Sequence, residues 1–368
     1  MKLEKGTISS SQFTFLIAGI IFGSVMTLTF AAQITKHDYL LPTLAGFGLS
    51  LPFVLVYTAL AQRFPDNNIL QINDILYGPY LGKFISTTYL FFVFTILISN
   101  FRFIGDFIKT YLLPETPLSV IIILFALICA WTVRNGIEVI ARVGPVLVVI
   151  AVFSILFTTI LVIKDMDLTN FLPIFDIKLT EFLQATHIIL SIPFCEIFIF
   201  LFFVPTLNKK QQLKRSVLTG VSFAGAYLLI NVLRNIAVLG PIIGIIASPP
   251  YEAIRLINVG GFLTRLEIFF AISLIVMVFL KVSILYYVTA LGTAQLLNLR
   301  SYLPMVIPLG IFSIIFSIVM YDSSMEQAQV GISVWPIWTI PFEFILPIIT
   351  LLLAKLRKIP KKQGAKSK

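Results

Sequence analysis

Ten apolar runs, most of them long enough to cross a bilayer, follow one another along this chain and leave little room for anything else. A spanning helix needs about 20 mostly apolar residues. The runs fall at 13–32, 40–61, 84–108, 118–133, 140–163, 185–205, 217–239, 266–291, 303–320 and 335–353, here called spans 1 to 10. Within hydrocarbon every backbone N–H and C=O must be satisfied inside the protein, which makes helices the default. Strands of a membrane barrel would alternate apolar and polar side chains, and these runs do not. The fold class is therefore all-α and integral to the membrane. Composition agrees: charged residues make up 12% of the 368, and mean hydropathy is +0.99. A soluble domain carries about 25% charged residues. No polar linker divides the chain, so 1–368 reads as one membrane domain. It comprises a five-span set over 1–165, a second over 166–354, and a basic tail over 355–368.

The net charge of +10 would suggest nucleic acid in a soluble protein. Here the positions of the charges carry more meaning, and no nucleic acid is expected. With the N-terminus inside, the inner segments and their edges hold eighteen Lys and Arg: Lys2, Lys5, Arg63, Lys83, Arg134, Arg142, Lys209, Lys210, Lys214, Arg215, Arg300 and seven in the tail. The outer segments hold six: Lys36, Lys109, Lys164, Lys178, Arg255 and Arg265. The positive-inside bias puts both termini in the cytoplasm, with the tail against anionic lipid. The polar start of the chain contains no cleavage pattern, and span 1 is expected to be retained. Segments 164–184 and 241–265 are then external and long enough to cap an outer vestibule. Segment 68–82 is amphipathic and is expected along the inner face. Cys129 and Cys195 both fall inside apolar runs and read as buried small hydrophobes.

Spans 1 and 6 carry breakers at their midpoints. Span 1 reads Ala18-Gly19-Ile20-Ile21-Phe22-Gly23-Ser24, and span 6 reads Ser191-Ile192-Pro193-Phe194-Cys195-Glu196. Each opens a five-span half, and the two halves start in opposite directions, so the repeats would be inverted. Paired interruptions at matched positions are the best sequence pointer to a transporter's binding site. Proline removes a backbone donor, and glycine lowers the cost of unwinding. Freed amides attract a carboxylate and freed carbonyls an ammonium, so an amino acid suits such a site. The ordinary alternative is that Gly19-x-x-x-Gly23 packs closely against another helix.

Two charges lie near mid-membrane: Glu196 beside Pro193, and Lys281 in span 8. A charge at the bilayer centre costs at least about 2.5–3.5 kcal/mol, so both must face protein or water. A structural ion pair and a proton- or ion-coupling role are both open. Lys281, Leu285 and Thr289 share one helix face at i, i+4 and i+8, which adds a hydroxyl to the same cavity. Farther out, Arg102 and Asp106 on span 3 and Arg234 on span 7 are candidates for an outer vestibule, against packing or snorkelling. No H-E-x-x-H, paired intramembrane aspartates or phosphate-binding glycine loop is present, so no catalytic residue, metal site or cofactor is expected.

The motifs also carry a resemblance. Pro193-Phe194-Cys195-Glu196 resembles the P-F-G-E of the spore germinant receptor B-subunit family, within the amino acid–polyamine–organocation transporter superfamily. So do Arg234-Asn235-Ile236-Ala237-Val238-Leu239-Gly240, the stretch from Tyr251 to Asn258, and the stretch from Gly261 to Glu267. Cys195 stands where that family has glycine, and cysteine tolerates positive φ poorly. The resemblance covers essentially the whole chain. It implies a ten-helix, five-plus-five inverted repeat like that of the leucine transporter, acting as a nutrient sensor in the inner membrane of bacterial endospores. It further implies an A subunit and a lipoprotein C subunit as partners. A small germinant, often an amino acid or sugar, would bind among spans 1, 3, 6 and 8 and trigger ion release. On those spans the expected ligand-binding residues are Gly19, Gly23, Ser24, Phe103, Pro193, Phe194, Cys195, Glu196, Leu285 and Thr289. A proton- or ion-coupled amino-acid permease of the same fold is the second reading. A scaffold for partner subunits, without its own ligand, is the third.

Overall fold

A computed structural model describes residues 6–255 and 265–359. Its α-helices are α1 (Ser10–Phe22), α2 (Leu28–Thr35), α3 (Leu40–Arg63), α4 (Ile69–Tyr77), α5 (Pro79–Tyr111), α6 (Leu118–Arg134), α7 (Ile137–Val162) and α8 (Leu179–Ile189). They continue with α9 (Leu213–Leu239), α10 (Pro249–Arg255), α11 (Glu267–Leu296), α12 (Leu303–Val319), α13 (Ser324–Ser333), α14 (Trp335–Thr339) and α15 (Leu346–Leu356). Among the described residues the sole β-type pairing is an isolated bridge between Ile8 and Leu207. Part of the stretch from Tyr251 to Glu267, and most of the basic tail, lie outside the described residues.

Local sequence sets several helix starts. Ser9 and Gln12 form a reciprocal cap at α1, with Gln12 N–H donating to Ser9 Oγ and Ser9 N–H to Gln12 Oε1 at 3.2 and 2.8 Å. Asn68 and Gln71 do the same at α4, both at 3.0 Å. Each pair satisfies two amides that no preceding turn can reach.

Among the described residues, seven helical stretches are long and apolar enough to cross a membrane, or eight if the bent pair α12–α13 counts as one. Their packing separates centre from periphery. In the stretch Leu179–Phe202, 94% of the apolar window is buried, against 33% in Ile137–Asp165. The outer helices turn large apolar side chains outward, among them Leu127 on α6, Phe153 and Ile160 on α7, and Phe312 on α12. Such a surface suits hydrocarbon and would drive aggregation in water. The chain is an integral membrane protein.

The loops gather at two ends. At one end Ile8 bridges to Leu207, Thr7 N–H donates to Glu138 Oε1 at 2.6 Å, Lys210 pairs with Asp66, and Arg63 Nη2 donates to the Ala354 carbonyl at 2.9 Å. At the other, Asp38 accepts from the amides of Phe175 and Asp176 at 2.9 and 2.7 Å, and Asp167 N–H donates to the Ala237 carbonyl at 2.9 Å.

The backbone departs from regular α-helix in three apolar spans. In span 1, α1 stops at Phe22; Ser24 is off helical values (φ −103°, ψ 9°), and a single tight turn, Val25–Thr27, leads into α2. In span 6, a wide π-type turn at Leu190–Phe194 contains Ile192 at φ −117° and ψ 104°, followed by a 3₁₀ stretch, Cys195–Phe202. Cys195 itself has φ −80° and ψ −17°, ordinary right-handed values, so this position does not require glycine. The third departure falls in span 10, expected as one helix over 335–353: a π-type turn, Ile340–Ile345, separates α14 from α15. Residues 321–334, expected as a connection, instead contain α13, bent 94° from α12.

Candidate functional site

The end of α1, the start of the Cys195–Phe202 stretch and the middle of α11 meet at one point. Lys281 Nζ lies 2.7 Å from Glu196 Oε2 and donates to Ser24 Oγ at 2.6 Å. Ser24 in turn donates to the same Glu196 oxygen at 3.1 Å. Both charged side chains are only 2–3% exposed. A close, hydrogen-bonded pair in such a place offsets desolvation that neither ion could bear alone. The interruptions in spans 1 and 6 also touch directly: Thr27 Oγ1 donates to the Ser24 carbonyl at 2.6 Å and reaches the Ile192 carbonyl at 3.3 Å.

This cluster lies on the wall of a cavity of about 380 Å³. That size holds a small molecule on the order of an amino acid or a nucleobase. Gly23, Ser24, Glu196 and Lys281 line it, as do Phe103 and Asp106 on α5. Gly23 has ordinary helical φ, so its role is spatial. A Cβ there would sit 2.8 Å from Lys281 Cβ and 3.0 Å from the Met277 carbonyl oxygen.

Other expected site residues lie elsewhere. A Cβ on Gly19 would strike Leu280 Cδ2 at 2.4 Å, so Gly19 serves close packing of α1 on α11. Pro193, Phe194 and Cys195 are buried behind the cavity wall, with the Phe194 ring 5.3 Å from that of Phe47 and Cys195 packed on Leu190 and Phe344. Leu285 is fully buried, and the Thr289 hydroxyl donates back to the Leu285 carbonyl at 2.8 Å. Neither lines the cavity as Lys281 does, because α11 is buried on every side from Leu280 to Gly292.

The vestibule candidates divide as well. Asp106 lines the cavity. Arg102 pairs with Asp106 at 2.8 Å and donates to the carbonyls of Ile318 and Tyr321 at 3.0 and 2.5 Å. It therefore caps the C-terminal end of α12 at the 94° corner, where unpaired carbonyls favour a cation. Arg234 is 1% exposed and held by the neutral acceptors Asn231, Asn235 and Thr158 at 3.0–3.2 Å. That network locks α9 to α7 and leaves Arg234 apart from the cavity.

The chain also builds walls from residues the motifs did not indicate. On α13, Gln327 faces the cavity and donates to the Ser99 carbonyl and hydroxyl at 2.8 and 3.1 Å. Ser323-x-x-Glu326 is a capping-box spacing that announces this helix: Glu326 N–H donates to Ser323 Oγ at 3.1 Å. Of the two segments expected as caps, only 241–265 contributes, through Ile245, Ala247 and Ser248.

Solved structures share the fold. Mhp1, a nucleobase-cation-symport-1 family transporter in a closed conformation with bromovinylhydantoin bound, matches 95% of this chain and 78% of its own at TM-score 0.67 and 13% identity. MhsT in complex with L-phenylalanine matches 95% and 99% at TM-score 0.65 and 14% identity. These likenesses establish a transporter-type fold. Among curated sequences, spore germination protein KB of Bacillus subtilis (strain 168) is 26% identical over the full length of both chains. Spore germination protein YndE of the same organism is 22% identical over 95% of this chain and 97% of its own. The model of a family described as spore germination protein matches residues 7–325. That match takes in all three elements that meet at the Lys281–Glu196 pair, and the chain belongs to the spore germination protein family.

Proposed function

We propose that this chain is the nutrient-sensing membrane subunit of a spore germination receptor, binding a small germinant, an amino acid in the first instance, beside Lys281 and Glu196. The observation that carries the reading is a buried ammonium–carboxylate pair on the wall of a cavity, where the helices of spans 1 and 6 are interrupted. A zwitterion brings a carboxylate and an ammonium, each the complement of one member of that pair. The relatives' names tie the fold to germination, and the bound L-phenylalanine of MhsT shows that this type of fold accepts an amino acid.

The architecture belonging to this reading has ten spans in two inverted sets of five. The stretch Ser10–Arg63 is long enough for two spans, while α6 and α12 add two at 17 residues each. The interruptions near Gly23–Ser24 and Ile192–Pro193 fall at the first span of each set. The end holding Ile8, Asp66, Leu207 and Ala354 is the basic end of the sequence, which favours a cytoplasmic face with both termini there. The spore inner membrane, an A subunit and a lipoprotein C subunit complete the proposal. The role is non-catalytic.

The test uses spores whose receptor contains this chain. Glu196→Gln, compared per receptor present in the membrane, is expected to reduce the response to an amino-acid germinant at least tenfold. An undiminished response would place the sensing site elsewhere. The second reading, an ion-coupled transporter, draws on the likeness to Mhp1. Accumulation of labelled germinant inside vesicles against its gradient would favour it; binding without accumulation favours the sensor.

A further inference from the structure

Glu343 lies outside the cavity, is 0% exposed, and has neither carboxyl oxygen hydrogen-bonded among the described residues. It sits in the π-type turn Ile340–Ile345 that interrupts span 10. Such turns free backbone carbonyls and recur at functional sites. Two tyrosines answer the freed carbonyls: Tyr57 donates to the Glu343 carbonyl at 2.6 Å, and Tyr89 to the Phe342 carbonyl at 3.1 Å. Each phenol has one proton, and both are thereby committed to backbone. Neither phenol proton is thus available to the Glu343 side chain.

The titratable neighbours can be named from each packed element. They are Tyr57 on α3, Tyr89 on α5, His187 on α8, Cys195 and Glu196 in the span 6 stretch, and Lys281 on α11. His187 Nε2 is occupied by the Pro336 carbonyl at 3.0 Å. Lys281 is the sole ammonium among these groups, and it is engaged by Glu196 and Ser24. Two carboxyls therefore share one buried cation. An ionised Glu343 would leave a net negative charge in the interior with no donor, and a group in that position neutralises instead.

We propose that Glu343 is an occluded proton-binding site, whose carboxyl carries a proton while Lys281 pairs with Glu196, so that the buried cluster of two carboxyls and one ammonium is neutral. Glu343 holds that proton for as long as Lys281 stays paired with Glu196, whatever the cavity contains. Anything that draws Lys281 away from Glu196 changes the number of protons the cluster binds, which links the site to the cavity wall through charge alone.

Infrared spectroscopy of the full-length chain in lipid nanodiscs tests this. At pH 7 a carbonyl stretching band of a protonated, weakly hydrogen-bonded carboxylic acid is expected in the unsubstituted protein. It should vanish in Glu343→Gln and persist in Glu267→Gln, the control at the other buried carboxyl with an unpartnered oxygen among the described residues. Glu343→Gln should keep the melting temperature, because glutamine is the nearest neutral mimic of the protonated acid. The proposal is overturned if the band is absent at pH 7 or survives Glu343→Gln. Failure of Glu343→Gln to fold also counts against a neutral Glu343. So does a melting temperature that rises with sodium or potassium in the unsubstituted protein and not in the variant, which would make the site a metal-cation site.

Discussion

The Lys281–Glu196 pair, with Ser24, binds together three helical stretches far apart in sequence, and removal of the pair by halves should be worse than its removal whole. Taking away one partner leaves the other buried and uncompensated, at a cost of about 3–5 kcal/mol. Lys281→Met and Glu196→Gln are each expected to lower the melting temperature or membrane level, and the double substitution to lose less than their sum. Strict additivity in a double-mutant cycle would show that the pair contributes nothing jointly. Gly23 makes a second test. A methyl group there meets the Lys281 stem and the Met277 carbonyl, so Gly23→Ala should already displace the ammonium. A loss of germinant response with Gly23→Ala, together with near-normal response of Gly19→Ala at equal level, would separate the cavity glycine from the packing glycine. Equal effects of the two would not. A Lys281–Glu196 pair was one of the two readings the sequence left open: matched depth in the membrane suggests pairing, but it takes the packing of α11 on the span 6 stretch to bring the two side chains together. The remainder of the P-F-C-E motif was not legible. Pro193, Phe194 and Cys195 shape the turn that aims Glu196, and a motif does not reveal which of its side chains face the cavity.

In spans 1 and 6 a glycine or proline at mid-run stands beside the residues whose backbone leaves regular α-helix values, Ser24 and Ile192. Span 10 carries the same kind of signal in Pro336, Pro341 and Pro347, yet its regular hydropathy masks a π-type turn. The α13 helix was missed because it is short and only weakly apolar, although its Ser323–Glu326 cap is readable. Its position against the cavity depends on the corner after α12, and Arg102 holds that corner by reaching Asp106, Ile318 and Tyr321 at once. A guanidinium has the several fixed donors this requires, and a lysine ammonium on a flexible stem does not. Arg102→Lys is therefore expected to retain the charge but shift the germinant dose for half-maximal response upward several-fold, with Arg102→Ala worse. An unchanged dose with Arg102→Lys would show that charge alone suffices at the corner.

At the scale of the whole molecule, charge and contact give the same partition of the loops by independent routes. The segments that the Lys and Arg count assigns to the inside include 1–12, 62–83, 206–216 and 354–368. Where described, they meet one another at one end of the bundle through Ile8–Leu207, Lys210–Asp66 and Arg63–Ala354. The segments assigned to the outside meet at the other end, where His37 Nε2 lies 2.8 Å from the Pro173 carbonyl. Contact is silent on which end faces the cytoplasm; the charge bias favours the basic end, since basic loops resist translocation. Both native cysteines are buried and unpaired, so they should add little background to a thiol-labelling experiment. Lys178 and Ser324 are exposed at the end assigned to the outside, and Lys209 is exposed at the other. Lys209 serves better than Lys210, whose ammonium is tied to Asp66 and to the Pro65 carbonyl. In sealed right-side-out vesicles, cysteines at 178 and 324 should react with an impermeant maleimide, and one at 209 should react only after permeabilisation. Labelling at 209 alone would invert the orientation and leave the fold intact. Labelling at 209 and 178 together would mean that the two ends lie on the same side, which no arrangement of these spans allows.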